Sequence, residues 1–428
     1  MRFKWIYLLL FLLCAKTAEA SHHTSEKSMT LEEVRSLISR NRSVILENFN
    51  TQIAEDNLKD RRTNRLPDIN IGGKGFMANE RPLTSGARAS NDLFYDFNIT
   101  SQFDIYTGGK HTYAIERMKK ERMHSQEKLD AVRQEVELRA YILLYDIHRN
   151  IKYREFLRSS IHLREKEYER INQLYLNGLV LKSDVLRSKL YITNLQKDEV
   201  TITNSIDILS DKLCILLGME ERYSIIPKLN DDLSHKIDSP FESLYQEALL
   251  SSPSLKMYRT NQQKEETILK EIKAKRHPDV KLFAGYGIGS PIPVCDYNHQ
   301  TGGQVGAKVS LSLSSLYKTR HEHKAQKRRI DRERMVYNDE TDKLRTLLYE
   351  MYTRYHESLL NIDRAIEKID MSKESNRILT NSYFNQQALL IDVLESETQL
   401  MESSFEWVQA VVDSQKYYWT LKQLCGLL

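Results

Sequence analysis

Helix breakers are very unevenly spread along this 428-residue chain, and no other feature constrains its fold so much. Of its 23 glycines and prolines, 17 fall in two short windows, residues 67–109 and 278–306. Between Gly109 and Gly218 the only breaker is Gly178, and between Gly306 and the C-terminus it is Gly426. A proline costs a helix interior roughly 3 kcal/mol and a glycine about 1 kcal/mol. Two stretches of over 100 residues with almost none therefore read as very long helices. The length alone would suggest two or three domains, but an ordinary compact enzyme does not ration its breakers in this way.

The N-terminus reads as an address. Arg2 and Lys4 precede the apolar run 6–13, and Ala18-Glu19-Ala20 offers small residues where a signal peptidase reads. A secretory signal over 1–20 is expected, cleaved after Ala20. A retained anchor would need a longer apolar core. Cys14 raises a lipoprotein reading, against which Leu13 is bulkier than such a signal favours. Removal of 1–20 leaves 60 basic against 58 acidic residues, a balance with no case for nucleic acid. The basic run 324–334 is interrupted by Glu and Asp and reads as a solvated helix face.

The chain also repeats itself. Arg65-Leu66-Pro67-Asp68-Ile69-Asn70-Ile71 matches Arg276-His277-Pro278-Asp279-Val280-Lys281-Leu282 at an offset of 211. Tyr175 matches Tyr383, Asp184-Val185-Leu186 matches Asp392-Val393-Leu394, and Gly218 matches Gly426, all at 208. Two structural repeats follow after the signal. The first, 21–230, holds a helix, two strands within 68–105 and a long helical hairpin over 110–217. The second, 231–428, holds a helix, two strands within 279–314 and a hairpin over 318–424.

The strand segments alternate with period two. Over 93–105, Leu93, Tyr95, Phe97, Ile99, Ser101, Phe103 and Ile105 interleave with Phe94, Asp96, Asn98, Thr100, Gln102 and Asp104. Val305, Ala307, Val309, Leu311 and Leu313 form a second row, and Val280, Leu282, Ala284, Tyr286 and Ile288 a third; 69–76 is weaker because of its glycines. One face of each strand is apolar and one polar. Either a half-buried soluble sheet or a membrane barrel with a wet lumen fits, and the signal segment favours the barrel. Four strands cannot close a barrel, so several chains would have to contribute.

The rest is helix. Residues 110–177 and 318–385 would each make a helix about 100 Å long at 1.5 Å per residue. Beyond the first turn, Leu186, Leu190, Ile202, Ile206, Leu209, Leu213 and Leu216 recur at three- and four-residue steps, as in helices packed side by side.

With these residues in view, the chain resembles the TolC family of outer-membrane efflux proteins over essentially its whole mature length. The most specific signature is Tyr175-Leu176-Asn177-Gly178-Leu179-Val180 followed by Ser183-Asp184-Val185-Leu186. The resemblance implies a mainly α fold with a β-barrel part: long α-helical hairpins plus four transmembrane strands per chain, internally duplicated. It implies a homotrimer with a 12-stranded barrel in outer-membrane lipid and a long periplasmic portion. It implies that the shorter helices fall at 32–59 and 241–275, and that residues 220–240 with the C-terminal end form an equatorial collar. Implied partners are a periplasmic adaptor (membrane fusion) protein and an inner-membrane transporter.

Site residues follow from the same resemblance. Asn177, Gly178, Leu179, Asn385 and Gln386 would form the periplasmic tip turns and dock the adaptor. Asp184 and Tyr383 would form the gate, the Tyr383 hydroxyl donating to Asp184. Asp392 and Glu395 would ring the narrow end with carboxylates that repel one another and prefer cations. Capping of a helix start is the competing role for such acids. Two departures stand out. Gln386 replaces the family's second tip Gly, so that reversal should be looser or place Asn385 in the left-handed region. Ala388 stands where well-known members carry a gate Arg.

No catalytic or metal constellation emerges, and no cofactor is implied. His321-Glu322-His323 is not the zinc motif, since its histidines point about 200° apart on a helix. Gly72-Gly73-Lys74-Gly75 lacks the spacing of a phosphate loop. Cys214 and Cys425 end the two repeats and are candidates to approach, whereas Cys295 lies in the Gly/Pro-rich window. The expected function is a passive exit duct of a tripartite efflux or type I secretion system. A periplasmic coiled-coil adaptor or structural protein with a soluble β-domain is the alternative.

Overall fold

A computed structural model describes residues 25–77, 93–229, 237, 239–289 and 300–428 of the chain. The expected signal segment 1–20 and Cys295 lie outside them. Six strands and eight α-helices follow in order among the described residues. They begin with β1 (Glu26–Met29), α1 (Leu31–Leu37), a 3-10 turn (Ile38–Arg40), α2 (Arg42–Thr63), β2 (Asp68–Met77) and β3 (Leu93–Tyr106). Then come α3 (Lys110–Leu176), α4 (Lys182–Leu216), β4 (Ser224–Pro227), α5 (Phe241–Ser251) and α6 (Pro253–Ala274). The chain closes with β5 (Asp279–Gly289), β6 (Gln300–Ser310), α7 (Ser315–Phe384) and α8 (Leu390–Leu424).

The two breaker-poor stretches do form the long helices, of 67 residues in α3 and 70 in α7. The shorter helices differ from expectation because local chemistry divides each in two. Asn41 stops the first: its Oδ1 accepts from the Ser43 and Val44 N–H groups at 2.8 and 3.3 Å, capping α2. In the second, Pro253 sits at the first position of α6, where its missing N–H costs nothing, and so restarts the helix after Ser251.

Two compact units result, each drawing on both repeats. One contains Leu46–Val132 and Gln246–Thr346 and holds a four-stranded antiparallel sheet in the order β2-β3-β5-β6. β6 ends at Ser310, so Leu311 and Leu313 fall in the link to α7 rather than in the strand.

The other unit contains Met1–Ile45, Arg133–Tyr245 and Leu347–Leu428. Here β1 and β4 pair in parallel, Glu26 against Ser224 through Met29 against Pro227, a ladder the sequence pattern did not announce within 220–240. The helices of this unit interlock through aromatic contacts. The Tyr153 ring stacks on Phe405 at 4.0 Å and its hydroxyl donates to the Phe405 carbonyl at 2.9 Å.

On α4 the buried seam is Val185, Ser188, Ile192, Leu195, Ile206, Ser210 and Leu213. Leu186 and Leu190, expected within that seam, are instead 58% and 62% exposed. They continue through Val200, Ile208 and Ile215 as a second stripe, all within roughly 80° of arc at about 100° per residue. One chain leaves that stripe unfilled.

The Cys214 and Cys425 thiols are both buried and are not bonded to each other. Each faces a different backbone carbonyl, Tyr223 at 3.8 Å and Leu244 at 3.7 Å.

Candidate functional site

Strand register sorts the sheet into two chemically distinct faces. On one face Ile71, Ile99 and Tyr286 are direct partners across β2, β3 and β5, and Tyr286 lies 3.2 Å from where a side chain at Gly303 would begin. The next rung on that side is Ile69, Ser101, Ala284 and Val305. On the opposite face the rungs are Asn70, Thr100, Gly285 and Gln304, and then Asp68, Gln102, Phe283 and Gly306. The apolar face is bare in one chain, with Ile71 83% and Val305 84% exposed. β2 and β6 form the sheet's two edges. A bulge between Asp104 and Tyr106 shifts the alternation at Ile105, leaving Tyr106 opposite Val280.

The two hairpin reversals share one backbone geometry. At the end of α3 Gly178 takes φ +74°; its N–H donates to the Tyr175 carbonyl at 2.9 Å, and the Leu179 N–H to the Leu174 carbonyl at 2.9 Å. At the end of α7 Gln386 takes φ +63°; its N–H donates to Tyr383 at 2.9 Å, and the Gln387 N–H to Ser382 at 2.8 Å. This is the Schellman pattern twice over. The expectation of a looser second turn, or of Asn385 in the left-handed region, is therefore corrected: Gln386 itself adopts it. Asn177, Gly178, Leu179, Asn385 and Gln386 are all exposed. So are Leu176, Leu181 and Leu389 beside them, of which only Leu176 belongs to the turn signature.

Tyr383 of α7 is buried among Ile171 of α3, Val185 of α4, and Leu390 and Val393 of α8. Its hydroxyl is buried with no hydrogen-bond partner among the described residues, so the expected donation to Asp184 is not made. Asp184, half-buried in the first turn of α4, lies near enough to act on it electrostatically. Burial first, and the Asp184 charge second, push the Tyr383 hydroxyl up to about 12. Beside it the Arg170 guanidinium of α3 lies 3.6 Å from the Phe384 ring centre, a cation–π contact between the hairpins. No sequence signal marked that pair.

Asp392 and Glu395 divide their roles. Asp392 Oδ2 accepts from the Leu389 N–H at 3.2 Å and so caps its own helix, α8. Glu395 is exposed one turn further on. Among the described residues no helix is long and apolar enough to cross a membrane.

Two long helical hairpins and one two-faced antiparallel sheet, in duplicated order, define a fold class found in outer-membrane channels. The chain superimposes on the outer-membrane channel OprN with a TM-score of 0.81, at 14% identity, covering 92% of this chain and 89% of that one. For the outer membrane protein VceC from Vibrio cholerae the TM-score is 0.76 at 16% identity, covering 92% and 96%. For the CmeC outer membrane channel of Campylobacter jejuni it is 0.78 at 14% identity, covering 92% and 85%. No protein-family model and no curated protein matches the sequence. At these identities the likeness is one of fold, and the fold is that which the TolC resemblance implied.

Proposed function

We propose that the chain is one subunit of an outer-membrane channel, the exit duct of an efflux or type I secretion system. The observation that carries this reading is the sheet. Its register gathers Ile69, Ile71, Ile99, Tyr286 and Val305 on one face, with Ser101 among them, and Asp68, Asn70, Thr100, Gln102 and Gln304 on the other, with Phe283 among them, the segregation that lipid outside and a wet lumen inside call for. Three copies of four strands, joined edge to edge through β2 and β6, would give 12, above the minimum for a closed barrel. The unfilled stripe Leu186–Leu190–Val200–Ile208–Ile215 on α4 supports the same assembly, because a neighbouring copy would bury it.

In this reading the hairpin reversals form the periplasmic tip. Asn177, Gly178, Leu179, Asn385 and Gln386, with the exposed leucines beside them, dock an adaptor protein, and an inner-membrane transporter supplies the driving force. Tyr383 and Asp184 belong to the gate, which holds by packing of the Tyr383 ring rather than by a hydrogen bond. Asp392 and Glu395 contribute carboxylates to the narrow end, six in a trimer. Conduction is passive.

Membrane fractionation and mass measurement test the assembly. Expressed with its own leader, the protein should sediment with outer membrane and be extracted by detergent as a trimer. Recovery as a soluble monomer would overturn the reading.

A further inference from the structure

Along α3, Leu157 and Ile161 belong to one buried apolar cluster and Ile171 to another. The turns between them carry charge. Arg164 is 4% exposed and pairs with Glu167 one turn on and with Glu397 of α8, which joins the first hairpin to the second. Arg164 Nε and Glu397 Oε2 are both buried without a hydrogen-bond partner among the described residues.

The charge count does not balance. One guanidinium faces two carboxylates, so the site carries a net charge of −1 if both ionise, in a place with little water to spread it. Its surroundings supply little relief. On α3, Arg170 acts on Glu167. On α4, the Tyr191 hydroxyl contacts Thr398 Oγ1 at 3.4 Å and feels Glu397, Arg164 and, from α8, Glu402. From α7, uncharged Asn376 donates to Ser396 at 3.0 Å and Ser372 contacts Ser403 at 3.2 Å. Burial accordingly pushes Glu397 up to about 8 and Glu167 upward, against the opposing pull of Arg164. At the 208-residue offset Ser372 stands in place of Arg164, so the cluster is not part of the duplicated scaffold.

We propose that Arg164, Glu167 and Glu397 form a proton-holding tie between the two hairpins. With one proton on the carboxylate pair, α3 and α8 stay packed; its loss leaves a second buried charge and loosens them. Its consequence for a channel rests on reading the adjacent reversals as the tip, whereas the tie itself does not. The sign follows from linkage. A carboxyl raised in the packed state favours packing fully below its ordinary value of 4.5 and loses that advantage as pH rises toward 8. The tie is tight in acid and slack in mild alkali.

Amide hydrogen exchange on the purified full-length protein, corrected for intrinsic rates, tests this without any channel activity. Protection over 161–171 and 396–401 should fall between about pH 6 and 8, by up to roughly tenfold per pH unit. Glu397→Gln, the neutral isostere, should stay protected and flat. The triple variant Arg164→Met, Glu167→Gln, Glu397→Met should also be flat, since no titrating charge remains there. A flat wild-type profile, or the wild-type slope persisting in either variant, would overturn the proposal.

Discussion

Gly178 and Gln386, at the 208-residue offset of the repeat, hold the same left-handed backbone at the reversals of the two long hairpins. Glycine meets that geometry without steric cost, while a residue with a Cβ pays about 1–2 kcal/mol. Gln386→Gly should therefore stabilise its turn by about 1 kcal/mol. Gly178→Ala should destabilise the other by a similar amount, about 1 kcal/mol, and for conformational reasons alone, since nothing lies within 4 Å of a side chain placed there. Exchange rates of the Leu179 and Gln387 amides, which close the two turns, report both effects.

Tyr383 holds through its ring. Tyr383→Phe removes an unpartnered hydroxyl and should leave tip stability and closed-state conductance unchanged. Tyr383→Ala empties the space between Ile171, Val185, Leu390 and Val393, costs about 3–5 kcal/mol locally, and should raise closed-state conductance. A conductance rise in the Phe variant would restore the hydrogen-bonded gate.

The two acids at the start of α8 can be told apart. Asp392→Asn weakens a cap and should cost about 0.5–1 kcal/mol of helix-start stability as well as any cation preference. Glu395→Gln touches no cap, so it should lower cation over anion selectivity with no change in unfolding. Reversal potentials in asymmetric salt measure the first effect and thermal denaturation the second.

Opposite faces of β6 should respond oppositely to charge. Val305→Lys places an ammonium on the proposed lipid face, at about 2–4 kcal/mol for mid-depth, and should reduce the trimer recovered from outer membrane. Gln304→Lys, one residue earlier on the polar face, should be recovered at wild-type yield. Equal loss in both would argue against a lipid-facing side.

The duplicated architecture is legible because its signals are local: breakers ration themselves between helix and turn, and alternation marks β3, β5 and β6, more weakly the glycine-rich β2, but not the four-residue β1 and β4. The interruptions were less so. Asn41 reads as one polar residue within a helical pattern, and its capping bonds depend on where the backbone already bends. Leu186 and Leu190 fit the helical period perfectly well, but period cannot say which of two stripes a chain buries by itself. Gln386 showed where the second turn falls yet suggested the wrong residue for its strained position, because the hydrogen bonds of the reversal, not side-chain preference, fix the backbone. The Arg164–Glu167–Glu397 cluster left no signal at all. Its members sit in mixed-charge helices, and only the packing of α3 on α8 distinguishes them from solvated residues.

Reconstitution of the purified full-length protein into planar lipid bilayers tests the central claim most directly. A trimeric channel should insert to give discrete, uniform conductance steps, enlarged by Tyr383→Ala and abolished by neither Glu395→Gln nor Tyr383→Phe. A folded protein that leaves the bilayer electrically silent would contradict the account.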